Sequence, residues 1–392
     1  MKETDITQNE TEEARQPRGA GVKRVFAFVL LAVVVAVMLV VYFKGGSLTR
    51  RGFLQAWDAV TGRLSEAAFA FEPGFDSVFA DLGGTIAAAG SAGVAVYGKT
   101  GDELARSGFS AQNPAIAASG GLAIAYDVGG KSVRIVNSAG EISVITLENR
   151  VVSCSVGHGG VFVICTDDSR EYKGRARFYR LGSGVPELIY DWYSGEGYVL
   201  GAAVSYDGKR FAVTTLTARG GRIVLLDSDS TDAAGEYVSP EGAILEASFM
   251  RGGQLIARTA SGITAIEPDG SGTVIYDLTG RTLDGYSHDG DSFLALHFTD
   301  SSGGMQGELV TIDLKGRGLG SIRTSRALVR LTASGDRVAA LWSDGLDIYD
   351  KTLGQAASYP EASGAVCAFP RGGEAAVAMG SREGRAFVKR KD

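Results

Sequence analysis

AVSYDGKRFAV, residues 203–213, decides the fold. A polar Asp207-Gly208 pair sits between two apolar, strand-like runs, the pattern of an antiparallel hairpin. The pattern returns along the chain. DLGGTIAAA carries Gly83, ASGGLAIAY Gly120, GHGGVFVIC Gly159, YDGKRFAVT Gly208, RGGQLIART Gly252, HDGDSFLAL Gly290, SGDRVAALW Gly335 and RGGEAAVAM Gly372. Successive marker glycines lie 37, 39, 49, 44, 38, 45 and 37 residues apart. A period of this size marks a repeat architecture.

Each unit continues alike. A β-rich run follows the turn, then another strand such as GVAVYGKTG, KSVRIVNSAG or GLDIYDKTLG, then a short fourth one such as EISVITL or PELIYDWY. Four antiparallel strands in about 40 residues make a β-propeller blade. No stripe of period 3.6 follows residue 65, so helical repeats do not fit. The fold class is therefore all-β, an eight-bladed propeller, or a seven-bladed one if one unit is wrongly divided. The last unit runs out before its fourth strand. SEAAFAFE, residues 65–72, is a spare strand that can complete it and close the ring over 65–392. Closure removes sheet edges that would otherwise pair with other chains. The residues five before each marker glycine are Val78, Ala115, Cys154, Ala203, Ala247, Gly285, Arg330 and Cys367. All but Arg330 are small, as an innermost strand crowding a central axis requires.

Composition bounds the rest. The chain has 392 residues, 55 of them Gly, and a formal net charge of −6. No long Lys/Arg block occurs, so no nucleic-acid partner is expected. Three Cys build no disulfide framework. Val25 to Phe43 reads VFAFVLLAVVVAVMLVVYF, without a charge. As a helix of about 1.5 Å rise per residue it spans roughly 28 Å, close to a bilayer's hydrocarbon core. No A-x-A-like cleavage site follows, so an uncleaved single-pass signal anchor is expected rather than a signal peptide. The tail 1–24 is expected to be disordered and cytoplasmic, with the propeller outside. The linker 44–64 holds Phe53, Leu54, Trp57, Val60 and Leu64 at near-helical spacing, which predicts a short amphipathic helix.

Several motifs invite a chemical reading. GVAVYGKT, residues 93–100, spells a phosphate-binding loop, but that loop must open a helix, and here it is a strand and its turn. Asp227, Asp229 and Asp232 share one loop without the order of a calcium loop. If Gly159-Gly160 is a two-residue turn, Cys154 and Cys165 face each other across the hairpin. Free thiols are the expectation, and a cross-strand disulfide is the alternative. His158, His288 and His297 are the only histidines and no metalloprotease, thiol-redox or serine-hydrolase motif occurs. No catalytic residue, metal or cofactor is therefore assigned. Arg330, odd in the inner row, is the one candidate ligand-binding residue; it either faces an anion in the channel or snorkels to one end. The longer units carry extended loops, TDDSREYKGRAR, SDSTDAAGEYVSP and TDSSGGMQ, where binding would reside.

NPAIAASGGLAIAYDVGGKSVRIVN (113–137) and WYSGEGYVLGAAVSYDGKRFAV (192–213) resemble a family of single-pass, membrane-anchored propeller proteins of Gram-positive, clostridia-like bacteria. The resemblance implies one N-terminal span and supplies no catalytic residues. The expectation is a non-catalytic, extracytoplasmic binding or scaffold module with a protein or cell-wall partner. A surface hydrolase or lyase acting on a glycan at the channel mouth is the alternative.

Overall fold

The computed structural model describes residues 68–70, 77–98, 101–168, 171–230, 232–299 and 306–387. The expected tail, the Val25–Phe43 span and the linker lie outside the described residues. Among the described residues no helix is long and apolar enough to cross a membrane.

Eight four-stranded antiparallel sheets follow one another along the chain. Their first strands are Val78–Asp81, Pro114–Ser119, Val151–Val156, Tyr198–Val204, Glu246–Phe249, Thr282–His288, Leu328–Ser334 and Cys367–Pro370. In the first seven sheets the strands pair in chain order. In the eighth, the fourth place is taken by Ala68–Ala70, which pairs with Glu383–Arg385. The protein is an eight-bladed β-propeller.

The turns explain the glycine count. Seven of the eight marker glycines have positive φ, from 59° at Gly120 to 85° at Gly372, a region that side chains with a Cβ avoid. In blade 5 the left-handed residue is Gly253, one after the marker Gly252. Many other turns are set by an aspartate that accepts the N–H two residues on, as Asp269 does from Ser271 at 2.9 Å and Asp350 from Thr352 at 2.7 Å.

The core lies between blades. In blade 2 the run LAIAY at 122–126 is buried throughout. Its alternate residues part: Ala123 and Ala125 pack toward blade 1, with Val94 and Val96, while Ile124 packs toward blade 3, with Phe162 and Ile164. Burial on both faces is why the second strands read as continuous apolar runs rather than alternating ones. Similar slabs fill each seam. Phe178 stacks on Phe211 at 4.0 Å between blades 3 and 4. Phe293 meets Trp342 between blades 6 and 7. Met379 and Val377 meet Ile86 and Tyr97 between blades 8 and 1. The ring is thereby closed by packing as well as by strand exchange. Each of the first seven blades also carries a register shift between its third and fourth strands. Such bulges raise the local twist of the outer strand.

The two cysteines of blade 3 do not face each other. The hairpin loop is three residues, His158–Gly160, not two. Cys154 therefore pairs with Ile164, and Cys165 with Ser153. A one-residue slip sends the two thiols to opposite faces of the sheet: Cys154 packs in the slab toward blade 2 and Cys165 in the slab toward blade 4. All three cysteines are free and buried. Burial pushes the Cys165 and Cys367 thiols up to about 12.

Candidate functional site

The topology gives the ring two unlike ends. First strands begin and second strands finish at one end, here called upper; the marker-glycine turns lie at the other. Among the described residues fourteen large apolar side chains are exposed. Ten of them sit at the upper end: Val128, Tyr172, Tyr193, Tyr198, Leu200, Leu216, Val238, Leu245, Val329 and Val366. Val185 alone lies in a lower turn, and Val144, Leu188 and Val274 are on outer strands. Single exposed apolar residues are ordinary; a gathering on one face marks a contact surface.

Backbone irregularity aims two of them. The pairing of first and second strands in blade 4 shifts between Val199 and Gly201, so Leu200 is the extra residue. In blade 7 it shifts between Leu328 and Arg330, and Val329 is the extra residue. A bulge turns a side chain out of the regular alternation. Leu200 and Val329 are 39% and 46% exposed although each belongs to an inner strand.

The densest part lies on blades 3 and 4. The Tyr172 and Tyr193 rings are 4.8 Å apart. The Arg175 guanidinium lies 4.6 Å from the Tyr193 ring, and the Lys173 ammonium 5.7 Å from that of Tyr198. Arg175 is itself fixed by Asp191: its Nε donates to Oδ1 at 2.7 Å and Nη2 donates to Oδ2. The Asp191 hydrogen bonds hold the Arg175 pKa above its ordinary value. Desolvation, and then the Asp191 charge, raise the Tyr193 hydroxyl. The result is a cluster of rings with a cation over two of them, one of those cations held by a carboxylate. Tyrosine and arginine are the residues that most often anchor protein interfaces, because they bring large area and few rotatable bonds.

The sequence candidates fall as follows. The loop 166–177 does reach this cluster, supplying Tyr172, Lys173 and Arg175. The loop after Asp227 lies at the lower end, and most of TDSSGGMQ lies outside the described residues. Arg330 is exposed on the inner strand of blade 7, where its charge is felt by the Cys367 thiol of blade 8. Blade 7 stands across the ring from the tyrosines. Gly93–Tyr97 is the third strand of blade 1; Lys99 and Thr100 lie outside the described residues. The histidines serve packing. His158 stacks on Tyr206 at 4.2 Å in a lower turn. His288 lies 3.8 Å from Glu246. His297 is fully buried, with Nδ1 2.5 Å from Asp284 Oδ1. Among the described residues no group of three or more His, Cys, Asp or Glu is placed to hold a metal.

Sequence reasoning missed Tyr193, Tyr198, Leu216, Val238 and Leu245 as a set. Each lies at or beside a strand end, where an apolar residue reads like any other. Only the ring topology brings them to one face.

Fold and face together define a propeller with a one-sided apolar surface. The chain belongs to DUF5711, a family of unknown function whose profile matches residues 72–374. No curated protein matches the sequence. Solved propellers match the fold. Sqt1 of Saccharomyces cerevisiae is 12% identical, with a TM-score of 0.59 over 84% of this chain and all of that one. Chaetomium thermophilum Sqt1, bound to the N-terminus of ribosomal protein L10, is 13% identical, with a TM-score of 0.58 over 83% of this chain and all of that one. BamB from Moraxella catarrhalis is 13% identical, with a TM-score of 0.50 over 84% of this chain and 98% of that one.

Proposed function

We propose that this protein is a single-pass, membrane-anchored propeller on the surface of a Gram-positive cell, with its N-terminus cytoplasmic, and that its upper face docks a protein partner without catalysis. The one observation that carries the docking is the gathering of ten of fourteen exposed large apolar side chains on one face. The anchor rests on the uncharged run Val25–Phe43. A related fold in Chaetomium Sqt1 holds the end of another polypeptide, which supports a protein partner. Arg330, exposed near the channel, offers a cation to an acidic group of that partner.

Two substitutions test the docking face. Tyr198→Ser and Leu245→Ser replace side chains that are 62% and 56% exposed, so each changes stability by no more than about 0.5 kcal/mol. The double variant should lose whatever protein co-purifies with the wild type from its own membrane. Retention of the same partner at the same stoichiometry would refute the reading. Protease added to intact cells should remove the propeller; full protection would refute the topology.

A further inference from the structure

A second site lies away from the tyrosines. Between blades 7 and 8, at the upper end, lies an open cleft of about 490 Å³. Small-molecule sites occupy roughly 300–1,000 Å³. The space has a cause in the sequence. Ala362, Ala365, Ala378 and Gly380 line it where bulkier residues would fill it. The blade on one side is the closing blade, whose fourth strand includes Ala68–Ala70.

Four charged side chains line this cleft. Arg385 lies across it, its Nη1 donating to the Glu361 carbonyl at 3.3 Å and its Nη2 to Glu383 Oε1 at 3.3 Å. Charge-assisted hydrogen bonds are normally about 2.7–2.9 Å. Arg222 and Glu236 make such a bond at 2.7 Å. Arg385 is thus held weakly at both ends. Arg382, in the turn above, is exposed and forms no ion pair among the described residues, and neither does the Glu361 carboxylate. Two guanidiniums and two carboxylates therefore face one small volume with little mutual satisfaction, over a floor of alanines and the buried Phe387.

We propose that this cleft binds a small zwitterion of the amino-acid or short-peptide class. Arginine recognises a carboxylate through two parallel N–H donors, which Arg382 and Arg385 supply. Glu361 and Glu383 accept from the ammonium. The alanine floor takes small side chains. This site shares the upper end with the docking face, next to Val366, but lies across the ring from the tyrosines, and its residues are not those tested for docking.

Titration calorimetry of the full-length protein tests the assignment with three probes: alanyl-alanine, its N-acetyl derivative and its C-terminal amide. Alanyl-alanine should bind saturably at or below about 10 mM, and each derivative, lacking one charge, at least about tenfold more weakly. Arg382→Gln, an exposed substitution, should also weaken alanyl-alanine at least about tenfold, whereas Tyr198→Ser should leave it unchanged. No saturable heat with alanyl-alanine, equal binding of the three probes, or an unchanged affinity in Arg382→Gln would each overturn the proposal.

Discussion

Arg371 and Asp81, 290 residues apart in the chain, form an ion pair that ties blade 8 to blade 1. Arg371 Nη1 donates to Asp81 Oδ1, which also accepts the Gly83 N–H at 2.8 Å. The Arg371 side chain is 9% exposed and that of Asp81 24%. The pair therefore sits where solvent screens it little. Removing one partner strands the other, and Arg371→Gln should cost about 2 kcal/mol. The Arg219–Glu196 pair, 3.5 Å long with side chains 70% and 56% exposed, gives the contrast. Arg219→Gln should cost no more than about 0.5 kcal/mol. Urea unfolding of the two variants checks the difference, and equal costs would remove the seam pair from the account of ring closure.

Gly316 measures how closely successive blades approach. Its φ is +78°, and a Cβ built on it would lie 1.8 Å from the carbonyl oxygen of Ile275, in the fourth strand of the preceding blade. Gly318, two residues on, has nothing within 4 Å of such a Cβ. Gly316→Ala should lose about 2–4 kcal/mol, from strain at positive φ and from the displaced backbone, and Gly318→Ala less than about 1 kcal/mol. Thermal unfolding of the pair reads this directly.

The buried thiols predict both reactivity and a pH dependence. Native protein at pH 8 should leave Cys154, Cys165 and Cys367 unlabelled by iodoacetamide, while urea should expose all three. Burial raises all three thiols, Cys165 and Cys367 to about 12. An acid whose pKa is raised by folding holds its proton in the native state after the unfolded chain has released it. Stability is thus unaffected below the unfolded value of about 8.5 and falls as pH rises from there toward the folded value, by up to about 1.4 kcal/mol per unit for each thiol. Replacing Cys165 by Ala should flatten that decline above pH 9; an unchanged slope would contradict it.

The fold was largely legible. The spacing of glycine turns such as Gly120, Gly208 and Gly290 carries the blade count, because a left-handed turn residue leaves a mark in the sequence. The small residues of the inner row also have a physical counterpart. A Cβ on Gly285 would lie 2.5 Å from Leu328 Cδ2 of the next blade. The register of Cys154 and Cys165 was not legible, since Gly159-Gly160 reads as a two-residue turn and His158 gives no sign that the loop includes it. The docking face was legible only in part. The loop carrying Tyr172 stood out by its length, but Tyr193, Tyr198 and Leu245 come to the same end of the ring only through the arrangement of blades, and Leu200 is aimed by a bulge that has no residue signature.

The most direct test of the docking face places a photo-crosslinking amino acid at Tyr198, at the upper end, and separately at Val185, in a lower turn 72% exposed. Each full-length variant is irradiated in its native membrane, and adducts are identified by mass spectrometry. One recurrent protein adduct is expected from position 198 and none from position 185, with the 198 adduct abolished by Leu245→Ser. The same adduct from both positions, or an adduct from 185 alone, would contradict it.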